Sequence, residues 1–516
     1  MRVGIDVGGT NTDAVLVHEG QVVAATKQAT SADISSGIVD AINRVIGDAR
    51  ISVADIDAVM IGTTQFTNAF VERRCLDPVA AVRLCLPASQ ALEPMVEWPR
   101  DLIDVVGENY YLTAGGYEYD GRAIAPVDEE DLRKIALDIR SKSLGAVAIS
   151  SVFAPVRNEG ELRAAEIIRE YNPDARITLS SDLGRIGLLE RENATIMNAC
   201  LATHAQHVVR SFASALKALD IQAPLFLTQN DGTVMGCERV ARFPIMTFSS
   251  GPTNSMRGAA WLSGVDDALV IDIGGTTCDI GALVNGFPRE SAISVDIGGV
   301  RTNFRMPDVL AIGLGGGSLV EEQTGGEVGP RSVGYRLTEE ALVFGGKTLT
   351  ATDIAVAANM ADIGERRLLA DLSPAIVTRA VEVMTQLVED GLDRMKTREG
   401  AISAVLVGGG SILIGDTLKG VDRLIRPENF AVANAVGAAI AQVGGEIDRI
   451  YAYDDTPRED ALEDARGLAI AAAREAGADA EGISIVDLEE VPLAYMPKGA
   501  VRIRVKAVGD LRTIQE

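Results

Sequence analysis

Short apolar runs separated by polar turns dominate the chain. Residues 3–7, 14–17, 58–61, 146–153, 177–180, 224–228, 245–248, 270–273 and 404–407 are rich in β-branched side chains and read as strands. Between them, Ile34, Ile38, Ile42 and Val45 share one face of a helix expected over 31–45, and 128–141, 158–171, 188–219 and 373–395 carry helical spacing. Strands alternating with helices build an α/β fold. The end of the chain, 449–516, offers an acidic helix (458–477) and two strands (483–486, 501–505), which read as a small α+β appendage. The expected division is 1–180, 181–448 and 449–516.

One strand-turn-strand pattern occurs twice. The first copy is Gly4-Ile5-Asp6-Val7-Gly8-Gly9-Thr10-Asn11-Thr12-Asp13; the second is Val270-Ile271-Asp272-Ile273-Gly274-Gly275-Thr276-Thr277-Cys278-Asp279. Each apolar run ends in Asp, turns through Gly-Gly-Thr and returns through a second Asp into another apolar run. Paired glycines let backbone N–H groups approach an anion, hydroxyls add donors, and the first Asp suits Mg²⁺. A plain glycine hairpin competes for either copy alone, whereas the repetition points to two halves with a nucleotide between them. Gly408-Gly409-Gly410-Ser411, after the strand 404–407, is a third loop that lets backbone lie against adenine or ribose, and Gly313, Gly315, Gly316 and Gly317 form a further glycine loop.

Composition narrows the partners. The 516 residues carry a formal net charge of -25, which disfavours nucleic acid, while 47% hydrophobic and 23% charged residues are ordinary for a globular protein. No signal peptide or membrane-spanning run is visible, and five scattered cysteines fit free thiols in a reducing cytoplasm. His204 and His207 lie on one helix face, with no third ligand, and read as a structural pair. Two polar stretches leave strands where α/β folds place ligands. Gly62-Thr63-Thr64, followed by Asn68, opens a helix and suits an anion or polar substrate, or is a simple cap. Gln229-Asn230-Asp231-Gly232 is a substrate edge or a plain turn. The charged start of the helix at 188, Glu190-Arg191-Glu192, suits a cleft.

The order of two phosphate loops and a glycine loop resembles the superfamily of sugar kinases, actin and the heat-shock ATPases. That resemblance implies two pseudo-symmetric actin-like (ribonuclease H-like) lobes around a nucleotide cleft. A narrower resemblance rests on 4–13, Gly62-Thr63-Thr64, Thr67-Asn68-Ala69, Glu190-Arg191, Asn198-Ala199, Gln229-Asn230-Asp231-Gly232, Arg242-Phe243-Pro244, Ser250-Gly251-Pro252, 272–279 and 312–318. These are similar to the hydantoinase/oxoprolinase family, the A subunit of N-methylhydantoinase and its relatives. The family implies ATP-dependent phosphorylation and opening of a cyclic amide or imide (a hydantoin, 5-oxoproline or lactam), with ATP and Mg²⁺ and often a second subunit in a soluble cytoplasmic oligomer. By this likeness Asp6 and Asp272 hold Mg²⁺. Asp13 and Asp279 join them or fix the turns. Gly8, Gly9, Thr10, Asn11, Gly274, Gly275, Thr276, Thr277, Gly315, Gly316, Gly408, Gly409 and Gly410 receive the nucleotide. Gly62, Thr63, Thr64, Asn68, Asn230 and Asp231 face the substrate. Two departures stand out: many members carry His where this chain has Ile61, and another His in the segment that here reads 308–313, around Leu310. An ATP-driven reactivating or assembly factor and a small-molecule kinase are the alternatives the same loops allow.

Overall fold

A computed structural model describes residues 1–512 except 9–10, 30–33, 184–185, 292–294, 304–305, 322–324, 397, 495 and 497–498. Gly9 and Thr10, and the start of the helix expected from 31, lie outside the described residues. The chain builds two lobes, each around a sheet that opens with one of the two repeated hairpins. In the first, Arg2–Val7 pairs antiparallel with Asn11–His18 and parallel with Ala58–Thr63. In the second, Leu269–Ile273 pairs antiparallel with Cys278–Val284 and parallel with Ile402–Val407. Val3, Ile5 and Val7 are buried, as are Leu269, Ile271 and Ile273, because these central strands are covered on both faces.

The first sheet has nine strands, in the order Ser484–Pro492, Ala500–Gly509, Gln442–Ala452, Thr233–Gly236, Leu225–Thr228, Ala58–Thr63, Arg2–Val7, Asn11–His18 and Gln21–Ala29. It runs across both boundaries drawn from sequence. The described residues from 449 onward therefore extend this sheet rather than form an appendage. Gln442–Ala452 and Ala500–Gly509 pair along their length, and the alanines of the helix Arg458–Glu475 (Ala461, Ala465, Ala469, Ala473) pack on Ile503 and Val505. Tertiary pairing decided this: short apolar runs in sequence became long strands once they had partners. The second sheet orders Phe287–Pro288, Cys278–Val284, Leu269–Ile273, Ile402–Val407 and Val421–Ile425, with Val309–Ile312 also on Cys278–Val284. A parallel four-stranded sheet (Asn109–Ala114, Val79–Leu86, Ala146–Ser151, Arg176–Leu179) is built from the first third of the chain.

One expected element differs, and one stretch read as one or two helices resolves into two. The strand expected at 245–248 is a 3₁₀ turn, Pro244–Thr247, started by proline and closed by the Thr247 hydroxyl donating to the Pro244 carbonyl at 2.8 Å. The stretch 188–219 breaks at Leu201 into two helices, Leu188–Cys200 and Ala202–Ala218.

Two helices cross between the lobes. Ala433–Ala439 covers the first hairpin through Ala435, Val436 and Ala439 against Val15 and Val17. Ser250–Ser263 covers the second sheet through Met256, Ala259 and Ala260 against Val270 and Val405. Their backbones touch. A Cβ on Gly258 would lie 1.9 Å from the Ala433 carbonyl oxygen, and one on Gly437 would lie 1.8 Å from that of Asn254. Only glycine allows this approach.

Candidate active site

The two hairpins carry the same chemistry in the same register. Asp6 stands opposite Asp13, and Asp272 opposite Asp279. In each, the first glycine closes the turn: the Gly8 N–H donates to the Asn11 carbonyl at 3.0 Å, and the Gly274 N–H to that of Thr277 at 2.9 Å. Thr276 and Thr277 are exposed at the tip of the second turn, and Asn11 is half-buried at the first.

The crossing helices each send a polar side chain to a first-position carboxylate. Asn434 Nδ2 donates to Asp6 Oδ2 at 2.7 Å, and the Ser255 hydroxyl hydrogen-bonds Asp272. Burial, with the charges of Asp13 and Asp272, pushes the Asp6 carboxyl up to about 7. Burial and then Asp272 push Asp279 up to about 7 as well. Burial raises Asp13 and Asp272 too, against the opposing pull of Lys27. The charge of Asp272 thus reaches Asp6 from the other hairpin. All four carboxyls are raised chiefly by burial, a situation that a cation beside them would relieve.

The sequence did not single out Lys27. It faces Asp13 across the strand pair, with Nζ 2.6 Å from Asp13 Oδ2 and 3.2 Å from the Ala431 carbonyl oxygen. Asn434, Ser255 and Asn254 were missed as well, because only the helix crossing brings them to the hairpins.

The Gly62-Thr63-Thr64 turn joins this group. Gly62 is the register partner of Asp6, and a Cβ there would lie 2.7 Å from Asp6 Oδ1 and 2.4 Å from Asn254 Nδ2. Ser250 Oγ donates to the Thr63 carbonyl at 3.4 Å, so two of the sequence motifs meet. Asn254 Nδ2 donates to Thr228 Oγ1 at 3.0 Å. Asp6 Oδ1, Asp13 Oδ1 and Asn254 Oδ1 are buried acceptors without a partner. Uncompensated oxygens beside a glycine fit a hard cation such as Mg²⁺, which takes one or two carboxylates and completes its shell with phosphate and water. Among the described residues no group of three or more His, Cys, Asp or Glu side chains is placed to hold a metal ion. Thr64 precedes the helix Gln65–Val71 and accepts from Asn68 Nδ2 at 3.3 Å, and Asn68 is exposed.

The glycine loops divide in role. A Cβ on Gly408 would lie 2.2 Å from Asp272 Oδ1, and one on Gly410 2.6 Å from the Gly274 carbonyl oxygen, so this loop lies against the second hairpin. Gly409 is exposed beside it. Gly315 and Gly316 are buried, and their N–H groups are spent: Gly315 donates to Ser318 Oγ at 2.8 Å and Gly316 to the Gly274 carbonyl at 3.0 Å. They hold the second turn from behind and offer no N–H to a phosphate. Asp231 is likewise committed. Lys506 at 3.0 Å and the Thr233 hydroxyl at 2.6 Å hold its carboxyl down at about 2, within a plain turn whose Gly232 has φ 85. Asn230 is buried beside Met306. Glu192 and Arg191 do not face a cleft. Glu192 accepts from Arg83 Nε at 2.7 Å and Ser150 Oγ at 2.6 Å, and Arg191 Nε donates to Ser180 Oγ at 2.9 Å, all in the interior. Ile61 is fully buried in the core and Leu310 sits in a strand paired with Ile280, so neither position brings a polar group to the cleft.

Residues 2–172 match the family profile described as the hydantoinase/oxoprolinase N-terminal region, and residues 191–387 match the one described as hydantoinase/oxoprolinase. The chain belongs to the hydantoinase/oxoprolinase family. Among its curated relatives are the acetophenone carboxylase gamma subunit of Aromatoleum aromaticum, 26% identical over 68% of this chain and 52% of that one, and the caprolactamase subunit alpha of Pseudomonas jessenii, 26% identical over 85% of this chain and 65% of that one. The chain thus spans between half and two thirds of the length of these relatives. The solved structure of the ATP-dependent caprolactamase from Pseudomonas jessenii superposes with a TM-score of 0.77 at 19% identity, covering 99% of this chain and 88% of that one, which establishes the shared two-lobed fold. Among the described residues no helix is long and apolar enough to cross a membrane.

Proposed function

We propose that this family member uses ATP to phosphorylate the carbonyl oxygen of a cyclic amide or imide, a hydantoin, 5-oxoproline or lactam, and so opens the ring. The observation that carries the reading is the pair of hairpins in one register, each with two carboxylates, brought together by the crossing of the helices that cover them. Relatives named caprolactamase and 5-oxoprolinase support the substrate class. The carbonyl oxygen attacks the γ-phosphorus, the bond to ADP breaks, and the amide becomes an imidyl phosphate. Water then adds to that carbon, the C–N bond opens and phosphate leaves. Amide resonance is lost in the first step, which is why ATP is needed for the second.

In this scheme the protein positions and neutralises charge. Asp6 and Asp272, with Asn254, would hold Mg²⁺, which when bound offsets phosphate charge. The exposed Thr276 and Thr277 and the half-buried Asn11 face the phosphates; Gly9 and Thr10 complete the first turn in sequence. Gly408, Gly409 and Gly410 lie on the adenosine side. Asp13 and Asp279 brace the hairpins opposite the metal-side carboxylates. Gly62, Thr63, Thr64 and Asn68 form the substrate side; Asn230 and Asp231 support it from a turn. A second hydantoinase-type subunit completes the enzyme, as the subunit names of the relatives suggest.

The purified chain, alone and with its neighbouring gene product, should release ADP faster in the presence of one member of a panel of hydantoins, lactams and 5-oxoproline. Asp272→Ala should abolish that turnover with an unchanged circular dichroism spectrum. A stable phosphorylated product would make the protein a kinase instead, and turnover indifferent to every compound would end the ring-opening reading.

A further inference from the structure

The two hairpins differ at their second carboxylates. Asp13, the second carboxylate of the first hairpin, is paired with Lys27; the electrostatics of Asp279, its counterpart in the second, are set by burial and Asp272. Asp13 is fully buried and Asp279 half-buried, so the pairing with Lys27 answers at least part of the cost of burying Asp13. What distinguishes Lys27 is its reach. The residue belongs to the edge strand Gln21–Ala29 of the first lobe, yet its ammonium donates to the carbonyl of Ala431, in the turn that leads into the crossing helix Ala433–Ala439. A Cβ on Gly409 would lie 3.5 Å from Lys27 Cε. The neighbouring Gly408 N–H donates to the Phe430 carbonyl at 2.9 Å, so the glycine loop and the Ala431 turn are one unit. Lys27 thus spans from the first hairpin to the glycine loop of the other lobe.

An ammonium has three donors. Asp13 Oδ2 and the Ala431 oxygen take two, and the side chain stays one-third exposed. A polyphosphate running from the hairpins to the Gly408-Gly409-Gly410 loop would pass this group.

We propose that Lys27 is a nucleotide-binding residue that bridges the lobes, joining the first hairpin to the glycine loop and giving its remaining N–H to the phosphate chain of a nucleoside di- or triphosphate. This rests on the nucleotide reading above. A compact ammonium is a point-charge partner for phosphate. Its place at the seam makes its contacts depend on how closely the lobes approach.

Isothermal titration calorimetry with MgADP and MgATP tests the proposal on the full chain. Lys27→Met should weaken both by about ten-fold or more, the loss of one charge-assisted contact, and Lys27→Arg should recover most of the affinity. The deciding variant is Lys27→Met combined with Asp13→Asn. If Lys27 only neutralises Asp13, removing both charges restores parental affinity, and the proposal is overturned. If Lys27 binds phosphate, the double variant stays weak. Thermal melts of the double variant, which leaves no unpaired charge at this position, separate lost binding from lost folding. A parental protein that binds neither nucleotide would overturn the nucleotide reading and this proposal with it; parental binding with an unchanged Lys27→Met variant would overturn this proposal alone.

Discussion

Asp6→Asn should stabilise the nucleotide-free protein while destroying its turnover. The carboxyl of Asp6 has an ordinary value of 3.8 and sits at about 7 in the folded chain, chiefly through burial. Because the folded value lies above the unfolded one, the folded protein keeps a proton that the unfolded chain has released across the window from about pH 4 to 7. Parental stability therefore falls as pH rises through that window and levels off above it. The gap of about 3 pH units corresponds to roughly 4 kcal/mol at pH 8 and under about 2 kcal/mol at pH 5. Asparagine carries no charge to desolvate, and its amide oxygen can still accept from Asn434. The variant should thus gain on the parent by about 2–3 kcal/mol more at pH 8 than at pH 5. Denaturant or thermal melts of both proteins at the two pH values, with chelator and without nucleotide, measure this. Asp279, which titrates near the same pH, is present in both proteins, so the difference between them reports Asp6. A parent more stable than the variant at pH 8, or a difference that does not change with pH, would refute the reasoning.

Two further outcomes follow from the packing. Lys506→Met removes the cation from the buried Asp231, whose carboxyl it holds at about 2; breaking such a pair from one side should cost roughly 3–5 kcal/mol at neutral pH, read as a fall in melting temperature. In the parent this contribution is present above pH 4 and lost as pH falls toward 2, so the two melting curves should converge in acid. Gly258→Ala sets a methyl 1.9 Å from the Ala433 carbonyl oxygen, so the helix crossing must open; a loss of about 1–3 kcal/mol or more is expected, and a variant that melts with the parent would mean that the crossing is loose.

The hairpins were legible because everything they need is local: β-branched runs, paired glycines and Asp at fixed positions. Their register, Asp6 on Asp13 and Asp272 on Asp279, follows from the turn alone. Lys27 was not legible. Counting back across the Glu19-Gly20 turn pairs Val17 with Val22 and would set Thr26 against Asp13; a bulge at Leu16 shifts the pairing by one residue and brings Lys27 there instead. Asn434, Ser255 and Asn254 arrive through a helix crossing between distant segments, which no local pattern announces. The packing of Gly315 and Gly316 behind the second turn was hidden for a different reason. Glycine serves close packing as readily as anion binding, and composition does not separate the two. The C-terminal strands were underestimated because their extent is set by partners far away in sequence.

The strand order of the first sheet also dictates a sequence of events during synthesis. Its central strand Arg2–Val7 emerges long before Gln442–Ala452, which covers the outer edge of Thr233–Gly236, and before Ala500–Gly509 on the far side of that strand. The second lobe lies wholly between them, as a nested insertion. It can close while the first lobe still shows an open sheet edge, a surface prone to wrong pairing. The interior segment is thus complete before the sheet that flanks it, and a stop codon near residue 448 would remove Ala500–Gly509 and leave the strand from Gln442 as an open edge rather than trim an ornament.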